Sequence, residues 1–512
     1  MITSSSDNIK FFLLFNILPW VKCFLSHPIA RTTRKWGVGK KPPTLCSSGS
    51  PILRFRQRLA AESSSVDTGG SGEDGGGERE SRWESLVSTE ADATEALTEI
   101  FENLQDDSQI PDLAFLFVSQ FHSSNFKSIV QQVSEQLSSP TCEILSVVGS
   151  GVIGEDLELD EPSKPSISLL LGYHLPKDSV EIFDFNTLHK PPPNADSEYW
   201  KPWANKDASY LIFGDPWSPV ENVTTALGTN AVVAGGISVP TGVGPTVARN
   251  KQPFSQGSLV GIRFQNGMKL QVVTAQGCRP IHDTPFTITS AEGSCILELD
   301  SKPALKVMES VVESAGGPLP GIVCGIQMSV DDDQKYNDAD AMKVNSDDYL
   351  IRQIVGFLPT KAGIVVAGRV DTGERLRFHV RDKDAAEHDL DLMLQRARTE
   401  RTVFGGKGKL MCAFQISCVA RGQSFFGEKN VDLGRTKSII GNDGPVAGFY
   451  AGGEIGPVGL AGFAGGSNSG SHIHGFTTVV AYLCDTRNSV ATNDNEPRTV
   501  LSPIADDPTA WG

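Results

Sequence analysis

The feature that most constrains the fold of this chain is the run GPVAGFYAGGEIGPVG at residues 444–459, followed by HIHGFTTVVAY at residues 472–482. Twelve glycines fall within residues 441–475, where average usage would give about two or three. Apolar stretches of strand type flank the run, so it is not a linker. A glycine-rich turn that holds one acidic residue, Glu454, between buried strands brings the backbone close to a ligand. The run therefore predicts a binding site near the C-terminus.

The length and charge of the chain narrow the classes of protein to which it can belong. Its 512 residues are 39% hydrophobic, which is sufficient for a large core divided among two or three subdomains. The formal net charge is −16. Because no basic segment of the predicted folded part would supply a phosphate-binding surface, we expect no nucleic-acid partner.

The first 60 residues have the composition of a targeting presequence. They contain ten lysines and arginines and one acid, Asp7, together with many serines and threonines, which is typical of a transit peptide. Residues 11–25 are apolar but are interrupted by Pro19 and Lys22, and a membrane-spanning helix needs about 20 apolar residues. This stretch fits the apolar region of a signal ahead of a transit peptide. We predict import into a plastid; a mitochondrion, the cytosol and a signal-anchor are the alternatives.

Two further segments are predicted to lie outside the folded body. Residues 61–80 are rich in glycine, serine and acids and form a disordered linker. Residues 485–512 form a polar, mobile tail. We expect no integral membrane span in the mature body.

The pattern of apolar residues predicts repeated strand–helix–strand units. A helix is predicted over residues 83–104, followed by a strand at 113–118, a helix at 126–137 and a strand at 144–148 that ends in Gly-Ser-Gly. Related units recur with strands at 210–213 and 231–234 around a helix at 220–227, and with strands at 411–419 and 446–451. Each unit closes on a turn of small residues, which indicates duplicated modules.

A strand-rich region separates the second and third units. We predict a hairpin between residues 261–264 and 270–275, a helix at 304–314 and a second helix at 384–396 capped by Asp382. The predicted fold class is therefore α/β of the mixed α+β type, with fused modules whose mixed β-sheets are flanked by helices.

Two motifs suggest cofactor chemistry, but the residues around them do not fit it. GSGVIG at residues 149–154 matches the dinucleotide fingerprint, but an acidic, proline-containing segment follows it where a helix must begin. His472 and His474 share one face of a predicted strand without a third ligand nearby in sequence, so a structural role is favoured over metal binding. The nine cysteines form no C-x-x-C pair, which argues against a disulfide framework or a zinc site. We expect no cofactor and no metal.

Four arginines lie within or beside apolar strands, in the segments QGCRPI, YLIRQIVG, RLRFHVRD and CVARG. A buried arginine is costly unless it is paired. One interpretation is that each arginine pairs with a local carboxylate or carbonyl group. These arginines are Arg279, Arg352, Arg381 and Arg421.

The alternative interpretation is that these arginines converge with Glu454 on a ligand. Guanidinium groups bind carboxylates and Glu454 would bind an amine, so together they could hold a small zwitterion. The backbone amides around Gly453 and Gly456 are expected to contribute further donors. On this hypothesis the ligand-binding residues are Arg279, Arg352, Arg381, Arg421, Glu454, Gly453 and Gly456.

No catalytic motif accompanies this set. The sequence has no G-x-S-x-G elbow, H-E-x-x-H motif or zinc-deaminase pattern. We therefore predict no catalytic residue and favour a binding protein over an enzyme. An enzyme that uses Cys418 as its nucleophile is the alternative, because Cys418 and Cys278 could line the pocket.

Several motifs, in the same order, resemble those of FIST-domain proteins. The N-terminal part of the family is matched by PDLAFLFVSQFH at 111–122 and YLIFGDPWSP at 210–219. The C-terminal part is matched by QGCRPI at 276–281, YLIRQIVG at 349–356, RFHVRDKDAAEHDL at 377–390, CVARGQSFFG at 418–427 and the glycine run. The resemblance implies a FIST N-terminal domain over 82–250 and a FIST C-terminal domain over 251–484.

The resemblance implies a sensory or signalling module that binds a small metabolite, with amino acids or their derivatives proposed as ligands. In animals one FIST protein carries an F-box and serves as a substrate receptor of a ubiquitin ligase. This chain has no recognisable F-box helices ahead of the FIST region, so its signalling output requires a separate protein partner. The alternative function is a protein-interaction or substrate-receptor module linked to ubiquitin ligase function.

Overall fold

The computed structural model describes residues 80–105, 109–137, 142–185, 203–205, 207–228, 230–242, 244–317, 319, 321–327, 349–403, 408–463 and 470–487. The predicted presequence, nearly all of the predicted linker and most of the predicted tail lie outside the described residues. Over the described ranges, no helix is long and apolar enough to cross a lipid bilayer.

The first half of the described chain forms twelve strands and three α-helices. The strands are β1 (Arg82–Ser88), β2 (Leu113–Ser119), β3 (Glu143–Gly149), β4 (Val152–Gly154), β5 (Leu157–Leu159), β6 (Ile167–Tyr173), β7 (Val180–Phe185), β8 (Ser209–Gly214), β9 (Val232–Ile237), β10 (Val247–Arg249), β11 (Gln252–Pro253) and β12 (Leu259–Phe264). The helices are α1 (Ala93–Glu102), α2 (Phe126–Gln136) and α3 (Val220–Leu227).

The second half of the described chain forms fifteen strands and four α-helices. The strands are β13 (Met268–Gln276), β14 (Cys278–Pro280), β15 (Phe286–Glu292), β16 (Cys295–Leu299), β17 (Lys302–Pro303), β18 (Ile322–Gln327), β19 (Tyr349–Leu358), β20 (Gly363–Val366), β21 (Arg375–Arg381), β22 (Lys409–Cys418), β23 (Val446–Ala451), β24 (Gly453–Pro457), β25 (Leu460–Ala461), β26 (Ser471–His474) and β27 (Thr477–Asp485). The helices are α4 (Ala304–Ser314), α5 (Lys383–Val403), α6 (Gln423–Phe426) and α7 (Val431–Ile440).

Three sheets repeat one strand order. The first sheet runs β1-β6-β2-β3-β10-β11, the second β7-β12-β8-β9-β24-β26, and the third β25-β13-β27-β22-β23-β4-β5. In each sheet one parallel pair, β2–β3, β8–β9 or β22–β23, lies among antiparallel neighbours. The helix between the two strands of each pair makes the parallel connection possible. The three units predicted from the sequence are thus three copies of one module.

The three modules exchange strands in a cycle. The strand that follows the parallel pair of the first module, β4, pairs with β23 in the third sheet. The corresponding strand of the second module, β10, pairs with β3 in the first sheet. The corresponding strand of the third module, β24, pairs with β9 in the second sheet. No module therefore completes its own sheet.

Two of the small-residue turns predicted at the ends of the units, at residues 149–151 and 452–453, are points at which the chain crosses between sheets, whereas Gly235 and Gly236 lie within β9. Ser150 N–H donates to the carbonyl of Tyr450 at 2.9 Å, and Gly452 N–H donates to the carbonyl of Ile237 at 2.8 Å. A Cβ added to Gly151 would lie 1.8 Å from the carbonyl oxygen of Leu159 in β5. Glycine is needed here because one backbone passes close to another, which the sequence interpretation had attributed to a ligand.

The three sheets enclose one shared core. Phe117, Phe213 and Phe449 come from the first, second and third sheets, and their ring centroids are 5.7–5.8 Å apart in all three pairs. All three side chains belong to the same buried cluster. Because aromatic pairs at such distances add to the free energy of burial, this contact holds the sheets together.

The outer face of each sheet is covered by its own helices. Helices α1 and α2 pack on the first sheet, α3 on the second, and α5 and α7 on the third, each over a separate apolar cluster. Strands such as β2 and β6 are buried along their whole length. Burial on both faces explains why they appear in the sequence as continuous apolar runs.

A barrel is inserted between β13 and α5. Strands β15, β16, β20, β19, β18 and β21 pair in succession, and β21 also pairs with β15, which closes the ring. All of these pairings are antiparallel. Helix α4 packs against the apolar cluster of the barrel through Ala304 and Val307. The barrel meets the rest of the molecule where β13 ends.

The structure confirms the predicted fold class and corrects two elements. The helix predicted over 83–104 is strand β1 followed by α1, because the Asp92 carboxylate accepts from the amides of Thr94 and Glu95 and starts the helix only at Ala93. The hairpin predicted between 261–264 and 270–275 is absent, since β12 and β13 belong to different sheets. The predicted helix at 304–314 is confirmed.

The close backbone approach inside the modules can be tested at Gly448 in β23. A Cβ there would lie 1.8 Å from the carbonyl oxygen of Gln415, so Gly448→Ala is expected to lower the free energy of unfolding by roughly 3 kcal/mol or more. Gly434 in α7 has nothing within 4 Å of such a Cβ, and Gly434→Ala should raise stability by up to ~1 kcal/mol. Urea denaturation of both variants measures the difference. Equal midpoints would contradict the packing described here.

Candidate functional site

The candidate site lies where the barrel joins the three-sheet body. Strand β13 enters the barrel through Gly277 and Cys278, and β21 leaves it at Arg381 just before α5. The parallel strands β22 and β23 end at Cys418 and Ala451 on the same side. Ligands of open α/β sheets bind outside the carboxyl ends of parallel strands, so the topology favours this junction.

Arg421 is the most deeply buried arginine at the junction, with 1% of its surface exposed. Its Nε and Nη2 donate to the two carboxylate oxygens of Asp432, each at 2.9 Å. Its third nitrogen, Nη1, is buried and has no hydrogen-bond partner among the residues that the structure describes. A Cβ on Gly277 would lie 2.9 Å from Nη1. The Asp432 pair therefore fixes the guanidinium while one of its nitrogens remains available.

Glu454 is fully buried near the start of β24. Its Oε2 accepts from the hydroxyl of Thr477 at 2.8 Å and from the Thr477 amide at 3.3 Å. Its Oε1 is buried, and no donor in the described part of the chain forms a hydrogen bond with it. Burial raises the pKa of Glu454 to about 8, although Thr477, Arg421 and Cys418 act in the opposite direction. Glu454 is thus mainly a neutral carboxylic acid at pH 7.

Arg381 brings a second guanidinium to the junction from the barrel. It donates to the carbonyl of Ala420 and lies between two aromatic rings, 4.7 Å from the centroid of Phe425 and 4.9 Å from that of Phe476. These contacts hold it by cation–π attraction from both sides. Burial lowers its pKa, and nearby Arg421 acts in the same direction.

Two thiols lie among these charged groups. Burial raises the pKa of Cys278 to about 12, and Arg381 and Arg421 oppose that shift. Burial also raises the pKa of Cys418 to about 12, and Glu454 adds to the effect. Because only a thiolate is nucleophilic, these directions argue against Cys418 as a catalytic nucleophile.

The remaining two arginines lie at the margins of the junction. Arg352 on β19 donates from Nη1 to the carbonyl of Ile473 at 2.7 Å. Arg279 on β14 is exposed and forms an ion pair with Asp382 at 2.7 Å. Each of the four arginines therefore has a partner within the protein, as the first interpretation of the sequence expected. Of the four, Arg381 and Arg421 interact electrostatically with both thiols, and Arg421 also acts on the pKa of Glu454.

Gly453 and Gly456 lie in a strand, whereas the sequence interpretation placed them in a turn. Strand β24 has β9 on one side and β26 on the other, so its amides are engaged in sheet pairing. A Cβ on Gly456 would lie 2.7 Å from the hydroxyl of Thr274. Close packing against β13 thus explains this glycine. A role for either glycine in ligand binding stays a prediction.

Several residues of the site were missed from the sequence. Asp432 and Thr477 hold Arg421 and Glu454, and Asp389 accepts from the Gln276 amide at 2.6 Å. Behind them Glu158 accepts from Gln415 at 2.7 Å. These partners come from distant segments, and only the position of Asp432 in the first turn of α7 gives a sequence signal.

The histidine pair shows no sign of metal binding. His474 is buried, its Nε2 lies 3.0 Å from the carbonyl oxygen of Gly456, and burial lowers its pKa to about 3. Within the described residues no group of three or more His, Cys, Asp or Glu side chains could hold a metal ion.

The raised pKa of Glu454 predicts a pH dependence of stability. Between an unfolded value of about 4.3 and a folded value of about 8, only the folded chain keeps the proton, so the free energy of unfolding falls as pH rises, by up to ~1.4 kcal/mol per pH unit. Burial and Asp432 likewise raise the pKa of Glu158 to about 8. Glu454→Gln should remove part of the decrease in the free energy of unfolding between pH 5 and 8. Glu158→Gln should remove another part. Urea midpoints across this pH range measure it; an unchanged slope in both variants would contradict the assignment.

Comparison with known proteins agrees with this architecture. Residues 112–302 match the family model of the FIST N domain, and residues 304–457 match that of the FIST C domain. The uncharacterized protein Rv0628c of Mycobacterium tuberculosis is 29% identical over 408 residues, and the uncharacterized protein Mb0898c of Mycobacterium bovis is 26% identical over 407. Both alignments cover 78% of this chain and 98% of the relative. Two consecutive family matches over the modules and the barrel show that this chain belongs to the FIST-domain family.

Proposed function

We propose that this protein is a sensory module that binds an amino acid or a related small zwitterion at the junction of barrel and body. FIST domains are regarded as modules that sense small ligands. The observation that carries the proposal is that Arg421 Nη1 and Glu454 Oε1 are both buried without a hydrogen-bond partner among the described residues, while the charge of Arg421 acts on the pKa of Glu454. Buried polar groups without partners are rare in folded proteins and call for an explanation such as a ligand.

The two groups complement the two ends of a zwitterion. A ligand carboxylate would accept from Arg421 Nη1, a charge-assisted bond of the stronger kind. A ligand ammonium beside Glu454 would favour the ionised carboxylate and bring its raised pKa down. Because Asp432 and Thr477 already hold both side chains, little conformational entropy would be lost on binding.

The other predicted residues have supporting roles in this proposal. Arg381, held between Phe425 and Phe476, adds positive potential beside the ligand carboxylate and an apolar wall. Arg352 ties the barrel to the strand that carries His474, which pairs with Glu454. Arg279 holds Asp382, whose carboxylate caps α5. The barrel would transmit occupancy of the junction to a signalling partner protein.

Binding of amino acids to the full chain tests the proposal. Isothermal titration with the twenty amino acids should identify at least one ligand, and its decarboxylated and deaminated analogues should each bind at least tenfold more weakly. Glu454→Gln keeps the shape of the side chain but cannot ionise, so it should weaken binding tenfold or more. Glu309→Gln, an exposed site on α4, is the matched control. Full affinity in a folded Glu454→Gln protein would overturn the proposal, and native mass spectrometry would show any co-purified ligand.

We also propose that the protein works inside a plastid. Support comes from the basic, acid-poor composition of residues 1–60, which lie outside the described residues. A fluorescent protein fused after the full chain should be found in plastids and in a shortened, processed form. The same fusion lacking residues 1–60 should stay in the cytosol. Identical distributions of the two fusions would contradict the proposal.

A further inference from the structure

A cavity lies on the barrel, between α4 and the chain that leads into β15. Its volume is about 400 Å³, within the range of about 300–1,000 Å³ typical of small-molecule sites. One wall is apolar and consists of Ile281, Phe286, Leu299, Val307 and Val311. Ile281, Phe286 and Val311 pack against the barrel core but remain only partly buried. A ligand in the cavity would complete their burial.

Two lysines, Lys302 and Lys306, also line this cavity. Lys302 belongs to the short strand β17 that pairs with β16, and Lys306 lies in the first turn of α4, four residues later. Lys306 pairs with Glu309 at 2.8 Å, but both side chains are more than half exposed. Such a surface pair contributes at most about 1 kcal/mol, so an anionic ligand could replace Glu309 at little cost.

The acidic and titratable groups of the cavity are already engaged in the barrel. Asp300 accepts from the Thr287 amide at 2.8 Å. His282 lies with Nδ1 2.8 Å from the carbonyl oxygen of Thr284, and its Nε2 accepts from the Phe378 amide at 2.8 Å. Both ring nitrogens are thus used, and burial lowers the pKa of His282. Lys302 and Lys306 are therefore the charged side chains of the lining that can contact a ligand.

We propose that this α4 cavity binds a small amphipathic anion, namely a medium-chain monocarboxylate. The aliphatic chain would lie on the apolar wall, where each buried CH₂ contributes about 0.8 kcal/mol. The carboxylate would lie between Lys302 and Lys306 at the rim. This site is separate from the barrel–body junction and takes a ligand of different chemistry, so it does not depend on the proposed zwitterion site.

Decanoate is the probe. Decanol, which has the same chain length but no charge, distinguishes the contribution of the carboxylate from that of the aliphatic chain. Equilibrium dialysis with the full chain should show saturable binding of decanoate, at least tenfold tighter than that of decanol. The double variant Lys302→Gln/Lys306→Gln should lose this tenfold advantage while its affinity for decanol stays the same. Lys361→Gln removes a barrel lysine with a comparable partner, Glu292 at 2.8 Å, and should bind both probes normally.

A cavity-filling variant gives a second, independent readout. Val311→Trp should abolish binding of both decanoate and decanol, with circular dichroism used to show that the protein stays folded. Glu454→Gln should bind decanoate normally, which distinguishes this site from the junction. The proposal is overturned if decanoate does not bind, if the double lysine variant keeps the preference for decanoate over decanol, or if folded Val311→Trp binds both probes unchanged.

Discussion

The phenylalanine rings of Phe117, Phe213 and Phe449 meet where the three sheets face one another, and each ring contacts the other two. Around this contact each module gives one strand to another module's sheet. The rings can meet only if the crossing backbones pass close to one another, which requires glycine at those turns. The shared core, the sheet order and the glycine pattern are thus aspects of one packing solution.

The candidate site results from this exchange of strands among the modules. Glu454 lies on the strand that the third module gives to the second sheet, and neighbours on both sides hold that strand. The Glu454 carboxyl group therefore cannot move toward water. Its burial favours the protonated form. The barrel, which is inserted after β13, brings Arg381 to the junction from a separate sheet. A rigid acid and a rigid pair of guanidiniums are thereby placed together without a flexible loop.

Local patterns allowed much of the fold to be predicted. Runs such as LAFLFVS were identified as strands because they are apolar on both faces, and α4 was located within a residue because its pattern has helical spacing. The errors came from non-local partners. Nothing near Trp83 shows that it pairs with Gly172, and nothing in the segment CVARG shows that the Arg421 side chain pairs with Asp432 in α7. The turn at residues 149–151 was located correctly, whereas Gly453 and Gly456 lie in strand β24, because its partner strands β9 and β26 could not be identified from the sequence.

The cyclic exchange also affects how the chain acquires its structure. Strand β4 pairs with β23, which is made almost three hundred residues later, and β13 pairs with β27 at the end of the described chain. Folding rates fall as contacts become more distant in sequence. The first sheet is complete once β10 and β11 are made, but the second sheet keeps an open edge at β9 until β24 leaves the ribosome. A truncation that removes β24 to β27 would therefore take strands from the second and third sheets at once and leave an unpaired edge in each.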